Sequence, residues 1–166
     1  MEIVFDMRKS DRQELIEACI HLFAQELKID NKKFNLLVFA NKEIRNVHNA
    51  HGMAIPLVKG CFALGLDPRM KFERLVETLA HEMVHIKQFV TGQIEQKGRS
   101  TYWKGKKIIK SKVSYYDLPW EIDAWSKEKV LAAKVFKFIE QEYEKVNKKS
   151  KKSSSKSDSV EGFVES

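Results

Sequence analysis

Apolar residues recur at helical spacing in three long segments of the chain. The first segment covers about residues 10–28, with apolar positions at Leu15, Ile16, Cys19, Ile20, Leu22, Phe23 and Leu27. Ser10 stands where an N-cap residue is expected, and Gln13 follows three residues later, which is the spacing of a capping box. This pattern predicts an amphipathic helix that begins at Ser10.

The second and third helical segments lie in the C-terminal two thirds of the chain. Asp67-Pro68 is a helix-start signal, and Gly92 supplies the stop. Between them a wide apolar face is formed by Phe72, Leu75, Val76, Leu79, Met83, Val84, Ile86 and Val90. The breadth of this face predicts a helix packed at the centre of the domain. Leu118-Pro119 precedes the last predicted helix, which runs from about Trp120 to Val146.

Shorter apolar runs between these helices predict strands. Phe34 to Ala40 is one such run, and residues 53–66 are predicted to form two extended pieces around Lys59-Gly60, as a hairpin or a bent edge strand. Residues 101–116 alternate loosely around Trp103-Lys104-Gly105-Lys106, which suggests a basic hairpin. The order helix, strands, helix, hairpin, helix favours the α+β class over a parallel βαβ sheet.

Composition places the chain among single globular domains. Its 166 residues are 43% hydrophobic and 32% charged, so residues 1–146 are expected to form one domain around a core. No apolar run approaches the length of about 18 residues that a membrane span requires. The N-terminus lacks the pattern of a signal peptide. Cys19 and Cys61 are too few for a disulfide framework. A reducing cytoplasm without membrane attachment is therefore the expected location.

Positive charge is concentrated in two blocks of this chain, whose net charge is +7. Residues 97–112 contain seven basic residues and no acidic one, and residues 145–156 contain six lysines and no acidic residue. The second block is rich in serine, so residues 147–166 are predicted to be a disordered, solvated tail. Alternatively, this tail makes a weak electrostatic contact with nucleic acid. The first block forms a solvated hairpin face or borders a binding cleft, where it would favour acidic peptides or a target bound to nucleic acid.

The central predicted helix contains the motif H-E-x-x-H as His81, Glu82 and His85. Residues four apart lie on one face of a helix, so both imidazoles can bind the same metal ion. Glu82 lies beside them and is placed to accept a proton from a metal-bound water. Burying the Glu82 carboxylate in an apolar helix costs free energy unless the carboxylate interacts with a partner such as this water. The motif therefore predicts a hydrolytic Zn²⁺ site with Glu82 as general base.

A hydrolytic zinc site needs a third protein ligand and an open fourth position. No histidine follows His85, so the ligand must be a downstream carboxylate or one of the upstream histidines His21, His48 and His51. We favour Glu121, in the first turn of the last helix, where a carboxylate suits the helix dipole. Asp123 is the next candidate for the third ligand. Alternatively, it accepts a hydrogen bond from the second ring nitrogen of a ligand histidine. The set expected is His81, His85 and Glu121.

These motifs resemble a known pattern. His81-Glu82-Met83-Val84-His85 followed by Glu121-Ile122-Asp123-Ala124 resembles the gluzincin zinc metallopeptidases. Residues 79–88, 102–106 and 115–125 also look like small SprT-like or predicted metallopeptidases encoded by bacteriophages. The resemblance implies a zincin-like fold, in which a small mixed sheet packs against the central helix, and a place in the host cytoplasm. It also implies that an edge strand, here about Gly60 to Gly65, binds the substrate by strand addition.

The function predicted from the sequence is zinc-dependent hydrolysis of peptide bonds in a protein or peptide substrate. A nucleic-acid-associated binding protein with a structural or degenerate zinc site is the alternative, and a non-peptide substrate is a third hypothesis. Tyr115 and Tyr116 are candidates for an oxyanion donor, although tyrosines in such positions more often pack against neighbours.

Overall fold

A computed structural model describes residues 1–7 and 9–154 of the protein, and this part contains four helices and two small sheets. The helices are α1 (Asp11–Glu26), α2 (Glu43–His48), α3 (Phe72–Val90) and α4 (Pro119–Ser154). The strands are β1 (Glu2–Asp6), β2 (Asn35–Ala40), β3 (Gly52–Val58), β4 (Cys61–Leu66), β5 (Ile94–Lys97), β6 (Ser100–Trp103) and β7 (Lys106–Ile108). Two 3₁₀ turns, Lys110–Lys112 and Tyr115–Asp117, connect β7 to α4. The predicted α+β class is confirmed.

The larger sheet has the strand order β1-β2-β4-β3 and mixed direction. β1, β2 and β4 run parallel, whereas β3 returns antiparallel to β4. Leu36 and Val38 alternate inward along β2 and are fully buried, as the period of two in a strand requires. Together with Leu64 of β4 they form one core with the apolar faces of α1 and α3, and the first turns of α4 close it.

The chemistry of individual residues explains where α1 begins and where α3 begins and ends. The hydroxyl of Ser10 accepts a hydrogen bond from the backbone of Gln13, so the predicted N-cap of α1 is confirmed. The predicted start of α3 at Asp67-Pro68 is wrong, because the Asp67 carboxylate accepts from the backbone and side chain of Arg69 and holds a separate turn. The helix therefore starts at Phe72. Gly92 follows its end with a φ of +67°, which confirms the predicted stop.

The position of the edge strand differs from the sequence-based expectation. β4 pairs with β2 on one side and β3 on the other, so the segment Gly60 to Gly65 does not form an edge. Within the part of the chain that the structure describes, β3 has a paired neighbour on one side only. The run of buried residues from Phe62 to Leu66 is typical of an inner strand, since both of its faces are covered. β1 and β3 are therefore the two edge strands of this sheet, and β3 is the one that packs beside α3.

The second sheet is larger than the predicted hairpin over residues 101–116. Its hairpin joins β6 to β7 through Lys104-Gly105, both with positive φ, as a tight two-residue turn requires. β5 adds a third antiparallel strand, and no strand in the described chain follows Ile108 within the predicted range. The sequence pattern does not predict β5, because Gln96 and Lys97 are polar residues typical of a loop.

The last helix is longer than the sequence pattern predicts. α4 continues past Val146 to Ser154, so residues 147–154 of the predicted disordered tail are helical in the structure. Lysine and glutamate have high helix propensity, and the ion pairs Lys145–Glu142 and Lys148–Glu144 add support one turn apart. Residues 155–166 lie outside the described part. No helix among the described residues is both long enough and apolar enough to cross a membrane.

The β3–β4 hairpin offers a matched test of where the core lies. Leu64 of β4 has no exposed surface, whereas Leu57 of β3 is 53% exposed. Leu64→Ala is expected to lower the free energy of unfolding by about 2–5 kcal/mol, because it opens a cavity that the core cannot refill. Leu57→Ala should change it by less than about 1 kcal/mol. Urea denaturation measures both, and equal losses would contradict the assignment of β4 as the inner strand.

Candidate metal centre

His81, His85 and Glu121 lie together where the middle of α3 meets the first turn of α4. The two histidines are one turn apart on α3, and their Nε2 atoms are separated by 3.1 Å. The Oε2 atom of Glu121 lies 3.3 Å from Nε2 of His81 and 3.4 Å from Nε2 of His85. All three side chains are at most 12% exposed. The three atoms thus form a nearly equilateral triangle inside the protein.

The ring of His81 is oriented by a carboxylate on α4. Its Nδ1 atom lies 3.0 Å from Oε2 of Glu128, which can only accept a hydrogen bond when ionised. Nδ1 of His81 therefore carries the ring proton. In the neutral ring this leaves a lone pair on Nε2, on the side that faces Glu121.

The ring of His85 is oriented by Gln88, which is fully buried. The amide nitrogen of Gln88 donates to the carbonyl of Trp120 and to Oδ2 of Asp123, each at 3.0 Å. Both partners are acceptors, so the amide oxygen of Gln88 must be the atom that faces Nδ1 of His85, at 2.8 Å. Nδ1 of His85 consequently donates, and its Nε2 also presents a lone pair in the neutral ring.

Three electron-rich atoms therefore converge on one point. The 3.1 Å between the two Nε2 atoms leaves no room for a proton on each, and Oε2 of Glu121 is buried without a hydrogen-bond partner. A single proton would bridge two of the three atoms and leave the third unpaired. A metal cation satisfies all three at once, so these residues have the chemistry of a metal-binding triad.

The size of the triangle can be compared with the requirements of zinc. Bonds of about 2.0–2.1 Å and tetrahedral angles would place neighbouring ligand atoms about 3.3 Å apart. The three observed separations, 3.1, 3.3 and 3.4 Å, agree with this value. Two imidazoles and one carboxylate are also the ligand types that suit a catalytic zinc ion with an open fourth position. The residues present therefore fit zinc.

Electrostatics in the triad favours an ionised Glu121. Burial alone would raise the pKa of Glu121, but its contacts with His81 and His85 and with the Tyr115 hydroxyl outweigh burial and lower the pKa to about 2. Burial alone would lower the pKa of both imidazoles, yet the carboxylates of Glu121 and Glu82 reverse this and raise it. Protons are thus the natural competitors of a metal ion at this site.

Glu82 lies beside the triad and faces the edge strand β3. It is 7% exposed, and burial raises the pKa of its carboxyl group, with the two histidines acting in the opposite direction. The nearby backbone of Ala54 in β3 also acts to lower this pKa, but less than the histidines do. Gly52 makes room for it, since a Cβ there would lie 2.9 Å from Cγ of Glu82 and 2.6 Å from Cγ2 of Thr78. β3 and α3 therefore fix the position of Glu82 together.

The Tyr115 hydroxyl lies near Glu121 and helps to lower the pKa of the Glu121 carboxyl group. Burial and the neighbouring carboxylates raise the pKa of its phenol, so this group stays protonated at neutral pH. Its ring is 57% exposed and packs against Tyr116 and Trp125 at the mouth of the site. A protonated phenol at this place can donate to an oxygen atom that enters the site.

The site opens into a cleft on either side of the triad. One cavity of about 400 Å³ is lined by His81, Glu82, Tyr115 and Gly52. A second cavity of about 240 Å³ is lined by His85 and Glu121 and by Ala54 of β3. β3 therefore runs along both cavities with the triad between them.

The other residues considered as ligands have different roles in the structure. Asp123 contacts Lys127 and the amide of Gln88, so it supports His85 indirectly and does not join the triad. His21 is exposed on α1. His51 lines the first cavity next to Gly52, with its Nδ1 atom buried and without a hydrogen-bond partner. The side chain of His48 lies outside the described part of the structure.

Three residues around the candidate site could not be predicted from the H-E-x-x-H motif. Glu128 and Gln88 contact the rings of the two histidines, and Gly52 makes room for Glu82. For Glu128 a signal exists in the spacing, because it follows Glu121 by seven residues and so shares its helix face. Similarly, Gln88 follows His85 by three residues.

Comparison with known proteins leaves the geometry of the site as the guide to function. No protein-family model, no curated protein and no solved structure matches the chain.

Removal of the carboxylate behind His81 tests its role in orienting the ring. Glu128→Ala is expected to weaken zinc binding by about 10- to 100-fold, because the ring loses the acceptor that fixes its orientation. Glu140→Ala, an exposed glutamate on the same helix, is the matched control and should leave zinc affinity unchanged. Competition with a chromogenic chelator measures both, and equal affinities would contradict the role of Glu128.

Zinc affinity should also depend on pH. A protonated imidazole cannot bind zinc, and the raised pKa values of His81 and His85 place the competition above the ordinary histidine value of about 6.5. Affinity is therefore expected to fall as the pH decreases from about 8 to about 5, with about one proton taken up per zinc ion released, because the two Nε2 atoms are too close for both to be protonated. Glu121, with a pKa of about 2, should take up none in this range. Zinc titrations across the range measure the slope, and a flat profile would contradict this prediction.

Proposed function

We propose that the protein is a zinc-dependent metallopeptidase. The observation that carries this proposal is the convergence of His81, His85 and Glu121 on one point, with atom separations that fit tetrahedral zinc. Glu82 lies beside that point, and its carboxyl group, whose pKa is raised by burial, is placed to act as the base. This combination is the chemistry expected of the gluzincin-type peptidases that the sequence resembles.

Each residue of the site has a separate role in the proposed reaction. His81, His85 and Glu121 would hold the zinc ion, which when bound lowers the pKa of water and polarises a carbonyl group. Glu82 takes a proton from the attacking water and delivers it to the leaving amine. Tyr115 donates a hydrogen bond to the oxygen on which negative charge develops.

The edge strand gives the reason to favour a peptide substrate. β3 runs along both cavities, and no strand in the described part of the chain pairs with the backbone groups on its outer edge. An extended polypeptide can add to such an edge through main-chain hydrogen bonds, which would place its peptide bonds across the triad. This role belongs to β3 in our proposal and not to the segment Gly60 to Gly65.

Metal content tests the proposed zinc site, and peptide cleavage separately tests the proposed role of Glu82. Wild-type protein from zinc-replete medium is expected to contain about one zinc ion per chain, and His81→Ala should lose it because a ligand is missing. Glu82→Gln should retain zinc but cleave a quenched-fluorescent peptide library at least about 100-fold more slowly, because the proton acceptor is gone. Elemental analysis and fluorescence measure these outcomes.

The control for this experiment is Glu73→Gln, which removes an exposed carboxylate from the first turn of the same helix. It should match the wild type in both measurements. A metal-free wild type would refute the zinc site. Equal cleavage by wild type and Glu82→Gln would refute the assigned role of Glu82 while leaving the metal site intact.

A further inference from the structure

A groove leads from the triad onto the small sheet, and its far end is basic. The cavity that contains His85 and Glu121 also contacts Gln96, Thr101 and Lys110. The same three residues line a neighbouring cavity of about 490 Å³ on the β5–β6–β7 sheet. The two cavities are therefore adjacent.

The part of the groove nearest the triad is apolar. Phe89, Ile94 and Trp120 line it opposite Pro56 of the edge strand. Such walls accept an apolar side chain and exclude water from it. A substrate residue next to the cleaved bond would lie against these walls.

Three cations line the second cavity, which lies farther from the triad. Arg99 and Lys107 line it alone, whereas Lys110 lines both cavities, and none of the three has a carboxylate within 4.0 Å among the residues that the structure describes. The described residues lining that cavity include no acidic side chain. Three uncompensated positive charges in one groove create a potential that attracts an acidic ligand.

The aromatic residues of this sheet and of the first turn of α4 favour a polypeptide over a nucleic acid as the ligand. Lysine ammonium groups already lie over the rings of Tyr102, Trp103 and Trp120, at 5.2, 4.9 and 5.6 Å from the ring centres. Stacking of nucleobases requires an open aromatic face. The neighbouring strand β3, in contrast, offers the main-chain groups that an extended peptide uses.

We propose that the groove on the β5–β6–β7 sheet selects polypeptides with an acidic segment beside an apolar residue at the cleavage point. This inference rests on the proposed zinc-dependent cleavage, which it extends by naming the class of substrate. Phe89, Ile94 and Trp120 receive the apolar residue, and Arg99, Lys107 and Lys110 receive the acidic segment.

Binding to a non-cleaving variant tests this selectivity. The zinc-loaded Glu82→Gln protein is titrated with two fluorescein-labelled peptides that have one apolar residue followed by four Asp or by four Asn residues. The Asp peptide is expected to bind about tenfold more tightly at low salt, and the preference should shrink at high salt because the charges are exposed. Fluorescence anisotropy measures both affinities.

A charge-neutral triple variant with a matched control identifies the residues responsible. Adding Arg99→Gln, Lys107→Gln and Lys110→Gln should abolish the preference for the Asp peptide. The control adds Lys33→Gln, Lys129→Gln and Lys137→Gln, which remove three exposed lysines that line neither cavity, and should preserve it. Equal binding of the two peptides, or a preference that survives the first triple change, would overturn the inference.

Two further measurements separate this inference from its alternatives. A labelled single-stranded or duplex oligonucleotide that binds more tightly than the Asp peptide, and depends on the same three residues, would overturn the inference in favour of nucleic acid. The peptide titrations are repeated on His81→Ala, in which the basic groove is intact. A preference for the Asp peptide there, combined with a metal-free wild type, would refute the proposed cleavage while supporting the acidic ligand.

Discussion

The buried contact between α3 and α4 is the constraint on which the candidate site depends. His81 and His85 share a face of α3 by helix geometry alone, but Glu121 reaches them only if α4 has one particular position. Gln88 fixes that position, because one fully buried amide bonds to the backbone of Trp120 on α4 and to the ring of His85 on α3. The same contact therefore sets the helix docking and the orientation of a proposed ligand.

The cost of burying polar groups explains why this contact favours a bound cation. Glu82, His85 and Glu121 are each at most 8% exposed, and two of them are carboxylates. Unpaired charges in such a place destabilise a fold by several kcal/mol each. Protonation of the imidazoles relieves part of this cost, as their raised pKa values indicate. A divalent ion would relieve more of this cost, since it would interact with the converging atoms of His81, His85 and Glu121 while both rings stay neutral.

The parts of the fold and site that depend on local spacing could be predicted from the sequence. The N-cap at Ser10, the stop at Gly92 and the pair His81–His85 all follow from residues within one or two turns of each other. The identity of the edge strand could not, because a hairpin pattern does not say which member pairs with β2. The contact of Glu128 could not be predicted for a related reason: its partner His81 is 47 positions away in the sequence.

The connection between α3 and α4 shows how one segment can serve both the site and its selectivity. Residues 91–118 must return the chain from the end of α3 to Glu121, and a bare loop of that length would be unusual in a compact domain. Folding into the β5–β6–β7 sheet orders the connection and places Trp103 near Trp120 at the base of the groove. The segment that returns the chain to the third proposed ligand thereby also supplies the groove's basic wall. Changes in its exposed residues would therefore alter the proposed ligand preference while the α3–α4 contact and the triad stay unchanged.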